Sequence, residues 1–416
     1  MRRRVFEYKQ EGGCSLCLLI AILLIALFIM SLTCQKHLFS LDPDVHYLNG
    51  AYMSPMLRSV EAAGIRGLLP KRSPNRIAPT DFFTEPERLR GLFAQLINGD
   101  ADGVALIPAV SYGMAIVAKN LPAKKGQKII VADSQFPSNV YPWMTLAAER
   151  GLEIQTVAMP VEQAGRAQRW NENLLAAVDD RTALVALGHI HWANGTIFEL
   201  QKLAEKVHQH GGLLVVDGTQ SVGALPMDVQ LLGLDALVCG GYKWLMGPYS
   251  MGYAWFGETF RTGRPIEENW INRHNSEDFA RLVDYQSGYQ VGARRFDVGE
   301  RSNFILVPMC IAALEQLLAW QPENMQTYCR QLQTEAVQIW QQHGIWSENP
   351  AHRAAHLFGI QLPTHIESAA LQQKLRERNI SVSVRGDFVR ISPNVYNDVA
   401  DVEALTEVLI SFGSSR

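Results

Sequence analysis

The feature that most restricts this chain is a series of short, continuous apolar runs set between stretches of helical pattern. Gly103-Val104-Ala105-Leu106-Ile107-Pro108 is the first, and Lys128-Ile129-Ile130-Val131-Ala132-Asp133 the second. Ala183-Leu184-Val185-Ala186-Leu187, Gly212-Leu213-Leu214-Val215-Val216-Asp217 and Ala236-Leu237-Val238-Cys239 follow. A strand with one wet face alternates polar and apolar residues. These runs do not, so both of their faces must be covered. Separated by helical patterns such as 85–97 and 200–209, they predict a parallel sheet with helices on either side.

Past residue 300 the pattern changes. Residues 357–362 predict a strand, 366–378 a helix, 380–384 and 388–392 two strands around a tight Gly386-Asp387 turn, and 398–412 an amphipathic closing helix. The expected fold class is α/β, with a large, mostly parallel domain over 38–300 and a small C-terminal α+β domain over 301–416. At 416 residues, with 47% hydrophobic and 19% charged residues, the chain can bury cores of that size and is not disordered. A net charge of -3 gives no general basic surface, which speaks against nucleic acid as a partner. Of six cysteines (Cys14, Cys17, Cys34, Cys239, Cys310, Cys329), Cys14 and Cys17 form a CxxC with no strand-helix redox context around it. The rest are scattered without zinc-ligand spacing, and all read as isolated thiols.

Residues 1–37 stand apart. No charge occurs from Cys14 to Cys34, and residues 16–30 are almost continuously apolar, long enough for a bilayer-crossing helix. Arg2, Arg3 and Arg4 precede the run, so the expectation is a membrane anchor over 14–34 with its N-terminus in the cytoplasm. The alternatives are a cleaved signal, or a start at Met30 that would make the protein cytoplasmic.

Open parallel sheets bind ligands beyond the carboxyl ends of their strands. Asp133, Asp217 and Lys243 each sit at or just past such an end, and Gly240, Gly241 and Gly247 surround the lysine. An acid closing an apolar strand also occurs in nucleotide hydrolases, but no GxxxxGK[ST] is present. A carboxylate and an amine converging on one ligand suit pyridoxal 5'-phosphate. Its aldehyde is held by a lysine, and its ring nitrogen stays protonated when a carboxylate faces it.

The segments GHIHWANGTIFEL, DGTQSVGALPMDV and LDALVCGGYKWLMGP, between Gly188 and Pro248, resemble the cofactor core of class V aminotransferases and their relatives. These relatives include cysteine desulfurases, kynureninases and isopenicillin-epimerase-like enzymes. The resemblance runs from about Leu48 to the C-terminus and implies the pyridoxal-phosphate-dependent transferase fold. It implies Lys243 as the Schiff-base lysine, Asp217 as partner of the ring nitrogen, Gln220 as donor to the ring hydroxyl and Thr219 beneath the ring. Ser111 and Tyr112, on a strand-to-helix turn whose free amides favour anions, correspond to the phosphate grip. Tyr242 replaces a phosphate-binding histidine common in relatives, and Phe136 a ring-stacking one.

Arg390 matches the arginine that binds the substrate α-carboxylate, with Arg385 a second anion contact, and Asn49 lies on a segment that folds back towards the site. The segment 295–303 corresponds to one that reaches a neighbouring subunit's phosphate, with Glu300 at the usual threonine position. His189 and His191, two apart at a strand end, lack a third metal ligand, so no metal is expected. Desulfuration in these relatives needs a cysteine on a loop before the carboxylate arginine; only the short Arg385-Gly386-Asp387-Phe388 turn lies there, and no cysteine follows Cys329. The expectation is a homodimeric aminotransferase acting on a small amino acid, with its side-chain pocket set by residues 270–289. A lyase or epimerase of the same fold, or a non-catalytic membrane-tethered relative, is the alternative.

Overall fold

The computed structural model describes residues 32–385 and 387–412. The large sheet contains β1 (Val104–Ile107), β2 (Lys128–Ala132), β3 (Glu153–Val157), β4 (Thr182–Gly188), β5 (Leu213–Asp217), β6 (Ala236–Gly240) and β7 (Gly252–Phe256). Their spatial order is β1-β7-β6-β5-β4-β2-β3. All neighbours pair in parallel except β7, which runs antiparallel to both β1 and β6. The connection 241–251 explains that reversal. It holds no helix, and without a crossover helix the chain returns antiparallel. The five strands read from apolar runs are all present. The edge strand β3 is partly exposed and lacks such a run.

Each strand sends alternate residues to two separate cores. Val104, Leu106, Ile130, Val185, Val216 and Leu237 belong to one and pack with α2 (Thr84–Leu96) and α7 (Leu306–Trp320). Ala105, Ile107, Ile129, Leu184, Val215 and Val238 belong to the other and pack with α3 (Val110–Asn120) and α4 (Tyr141–Arg150). Between α4 and α7 lie α5 (Arg166–Ala177) and α6 (Leu200–Gln209), and α1 (Arg58–Leu68) precedes α2. Helices on both faces are the physical reason that the strands could be apolar throughout.

A second sheet is antiparallel, in the order β10-β11-β9-β8, with β8 Trp346–Ser347, β9 Phe358–Gln361, β10 Ser383–Arg385 and β11 Phe388–Ile391. Its core packs on α8 (Pro322–Gln342), α9 (Ser368–Glu377) and α10 (Val399–Ile410). The single strand expected over 380–384 is two short ones. Ile380–Ser381 pairs in parallel with His46–Tyr47, and only Ser383–Arg385 joins the antiparallel sheet. Gly386, half of the expected turn, lies outside the described residues.

The large and small sheets meet at one seam. The Ala354 and Gly359 amides donate to the carbonyls of Gly195 and Asn194 at 3.0 and 2.9 Å, and Asn49 bridges Ser392. These contacts set β11 over the carboxyl ends of β4–β6.

The membrane-anchored localisation is corrected. Among the described residues no helix is long and apolar enough to cross a membrane. Of the run 14–34, only Leu32–Cys34 lie among them, and those three are not helical. Cys14 and Cys17 also lie outside the described residues, while Cys34, Cys239, Cys310 and Cys329 are free thiols.

Candidate active site

Asp217 is the last residue of β5, its backbone held between Gly188 of β4 and Val238 of β6. The carboxylate accepts from the Thr219 amide at 3.0 Å, and the Thr219 hydroxyl accepts from the Gly240 amide at 3.1 Å. Thr219 therefore ties the ends of two strands together. Burial pushes the Asp217 carboxyl above its ordinary range, against the opposing pull of the Thr219 bonds and the Lys243 charge.

Lys243 follows β6 on a loop closed by backbone bonds from Gly241 to Met251 at 2.7 Å and from Gly247 to Gly241 at 2.8 Å. A Cβ on Gly241 would stand 2.8 Å from the Met251 carbonyl oxygen, so the close approach requires glycine. The lysine is only 7% exposed. Its Nζ lies 5.5 Å from the ring centroids of both Phe136 and Tyr242. Among the described residues Nζ makes no hydrogen bond and no ion pair. Burial, and next the Arg390 charge, lower its pKa to about 8, with Asp217 opposing.

Lys243 and Asp217 line the same cavity, of about 420 Å³. At one end Val110 and Ser111 begin α3, where the first amides of a helix have no intrahelical acceptor. Gln220 is fixed from both sides. Its Nε2 donates to the Ala51 carbonyl at 3.2 Å, and its Oε1 accepts from Trp244 Nε1 at 2.8 Å. One amide hydrogen is left over. Phe136 stands at the mouth, 38% exposed, edge-on to Trp192 with 5.5 Å between centroids.

A family model described as Aminotransferase class-V matches residues 78–405. This chain belongs to the class-V aminotransferase family. The isopenicillin N epimerase of Amycolatopsis lactamdurans is 27% identical over 89% of the chain and 96% of its own length. An uncharacterized aminotransferase, YcbU, of Bacillus subtilis is 27% identical over 75% of the chain and 79% of its own. A cysteine desulfurase from Thermococcus onnurineus has the same fold, with a TM-score of 0.78 at 20% identity over 93% of the chain and 100% of its own.

The class-V chain is thus a pyridoxal-phosphate-dependent enzyme of aminotransferase-like class. Its cavity fits that cofactor. An unpartnered buried amine, a buried carboxylate, a spare amide hydrogen and a helix N-terminus all open on it.

The remaining expected residues divide. Arg390 lies on β11, 1% exposed, and its Nη1 donates to the Trp192 carbonyl at 2.9 Å. Its Nε is buried without a partner, and no carboxylate among the described residues pairs with it. Burial, and then Arg385, lower its pKa to about 9. Arg390 lines an outer opening that shares Lys243, Phe136, Trp192 and Tyr242 with the cavity. Tyr112 is on the starting turn of α3 but outside the lining; its hydroxyl donates to Glu267 at 3.0 Å. Asn49 also lies outside it, accepting from the Ser383 hydroxyl at 2.8 Å, while Ala51, Tyr52 and Met53 reach the opening.

His189 and His191 are buried, and burial lowers both pKa values to about 4, so both are neutral. Glu300 lines a different cleft, beside Trp270. Trp192, Tyr249 and Met53 were not singled out from the sequence, whereas Ala51 and Tyr52 belong to the segment around Asn49 that was expected to fold back towards the site. Trp192 follows the polar end of β4, and the strand-end rule that marked Asp217 applies to it equally.

Proposed function

We propose that the chain labilises the Cα proton of a small amino acid, with Lys243 as the base and transamination as the outcome. The observation that carries this reading is that Lys243 and Asp217 share one cavity, the amine without a hydrogen-bond or ion-pair partner among the described residues. Lys243 would hold the cofactor aldehyde and Asp217 the ring nitrogen. Gln220 would donate to the ring hydroxyl, with Thr219 below the ring and Phe136 against its face. The α3 amides, Ser111 and Tyr242 would hold the phosphate. When bound there, the cofactor withdraws electrons from the substrate Cα.

With its pKa near 8, Lys243 has a free-base fraction close to neutral pH and would take the Cα proton at Nζ. Arg390, lacking an anion of its own, would hold the α-carboxylate in a two-bond fork and fix which Cα bond faces Lys243. Asp217, whose burial raises its carboxyl pKa, would be held ionised by a protonated ring nitrogen beside it and would keep that proton in place. Residues 38–300 would carry the cofactor, 301–416 would bring in Arg390, and the active species would be a homodimer.

One observation favours a second reading, epimerisation. The epimerase relative aligns over nearly its whole length. The test is spectroscopic. Purified protein should absorb in the visible, Lys243→Ala should lose that band, and a panel of amino acids with 2-oxo acids should yield new amino acids. A colourless wild-type protein overturns the proposal. Inversion of the amino acid without amino transfer selects the second reading.

A further inference from the structure

The outer opening above Lys243 has more positive charge than one substrate carboxylate can answer. Arg385 and Arg390 lie on paired strands, with Arg385 opposite Phe388 and Ser383 opposite Arg390. Residues two apart on a strand face the same way, so both arginines project from one face of the sheet. Both also reach the Trp192 ring, with guanidinium carbons 5.8 and 6.0 Å from its centroid. Arg385 donates to its neighbour's carbonyl, on Val384, at 2.8 Å, and makes no ion pair among the described residues. Asp387 is exposed and does not pair with it.

Lys243, Arg385 and Arg390 therefore border one opening, and among its described lining residues none is acidic. In the adjoining cavity the acid is Asp217, at the deep end. Cations drawn partly out of water need an anion in contact with them, or their lost hydration goes uncompensated.

We infer that this site selects amino acids bearing a second carboxylate, the aspartate–glutamate class, and that Arg385 holds the side-chain carboxylate while Arg390 holds the α-carboxylate. The inference rests on the proposed function. The cofactor phosphate is not the missing anion. The free amides and Ser111 that suit it line the deep cavity, whereas Arg385 lines only the outer opening. Both guanidiniums lie about 6 Å from the Trp192 ring centroid, and a planar guanidinium fork favours carboxylates held by two parallel bonds.

The experiment uses the holoenzyme. Succinate and glutarate are titrated against propionate and butyrate, with binding read by calorimetry and by the visible band of the bound cofactor. kcat/KM is then compared for aspartate and glutamate against alanine. One additional charge-assisted contact should give the dicarboxylates an advantage of about tenfold or more. Arg385→Gln should collapse that ratio towards one, and Arg385→Lys should keep part of it. Equal binding of mono- and dicarboxylates by the wild type overturns the inference, as does an equal loss of both in Arg385→Gln. A coloured enzyme that transforms amino acids without this preference sinks the inference alone. A protein without colour sinks the underlying reading as well.

Discussion

Replacing Lys243 by methionine should stabilise the cofactor-free protein. Lys243 as a residue is 7% exposed, its Nζ has no hydrogen bond among the described residues, and it faces the Arg390 charge. Its pKa falls from 10.5 in open water to about 8 in the fold. One pKa unit corresponds to about 1.4 kcal/mol, so keeping this lysine protonated in the fold costs about 3 kcal/mol. Below pH 8 both the folded and unfolded chains bind the proton, and the whole cost is present. Between pH 8 and 10.5 the unfolded chain binds more protons than the folded one, so wild-type stability rises with pH and the cost disappears. Methionine has a similar length and no charge to bury.

Urea unfolding of cofactor-free wild type and Lys243→Met at pH 7 and pH 10 measures this directly. The variant should gain about 3 kcal/mol at pH 7 and much less at pH 10. Equal stability at pH 7, or a gain that does not shrink with rising pH, would refute the picture of an unpartnered buried amine.

If Arg390 holds the α-carboxylate as proposed, Arg390→Gln should raise KM for the amino acid by roughly 10- to 100-fold while leaving the visible band in place, since charge-assisted bonds to substrate and none to the cofactor would be lost. Steady-state kinetics beside the spectrum separate the two. Asp297→Ala should destabilise the fold by about 3–5 kcal/mol, because it removes the buried carboxylate shared by two buried arginines, leaving Arg90 with Glu87 and Arg301 with no carboxylate among the described residues. Asp297 lies 2.7 Å from Arg90 and 3.2 Å from Arg301, and accepts the Leu106 amide of β1 at 2.7 Å. Denaturant unfolding gives the loss, and Asp297→Asn should recover part of it.

Much of the large sheet could be read from the chain because burial on both faces leaves a local trace. β1, β2, β4, β5 and β6 each carry an unbroken apolar run. β3 at the edge does not, and β7 gives no sign of its direction, which is set by the short connection before it. The cavity's deep end was equally visible, since Asp217 and Lys243 follow from where strands end.

The outer opening was not. It is assembled from residues far apart in sequence, and its shape depends on pairings such as His46 with Ile380 and Asn49 with Ser392. No local pattern marks Ala51 or Tyr52 as neighbours of Arg390, and the strand end before Trp192 places it near the cavity without pairing it to Arg390. Tyr112 shows the reverse failure. Its position on the starting turn of α3 was clear from sequence, but the side chain leaves the cavity for Glu267.

The most direct test of the account is chemical. Borohydride reduction of the coloured protein should fix the cofactor irreversibly, and peptide mapping by mass spectrometry should find one pyridoxyl group, on Lys243. Label on another lysine, or none, would contradict the assignment on which the site is built.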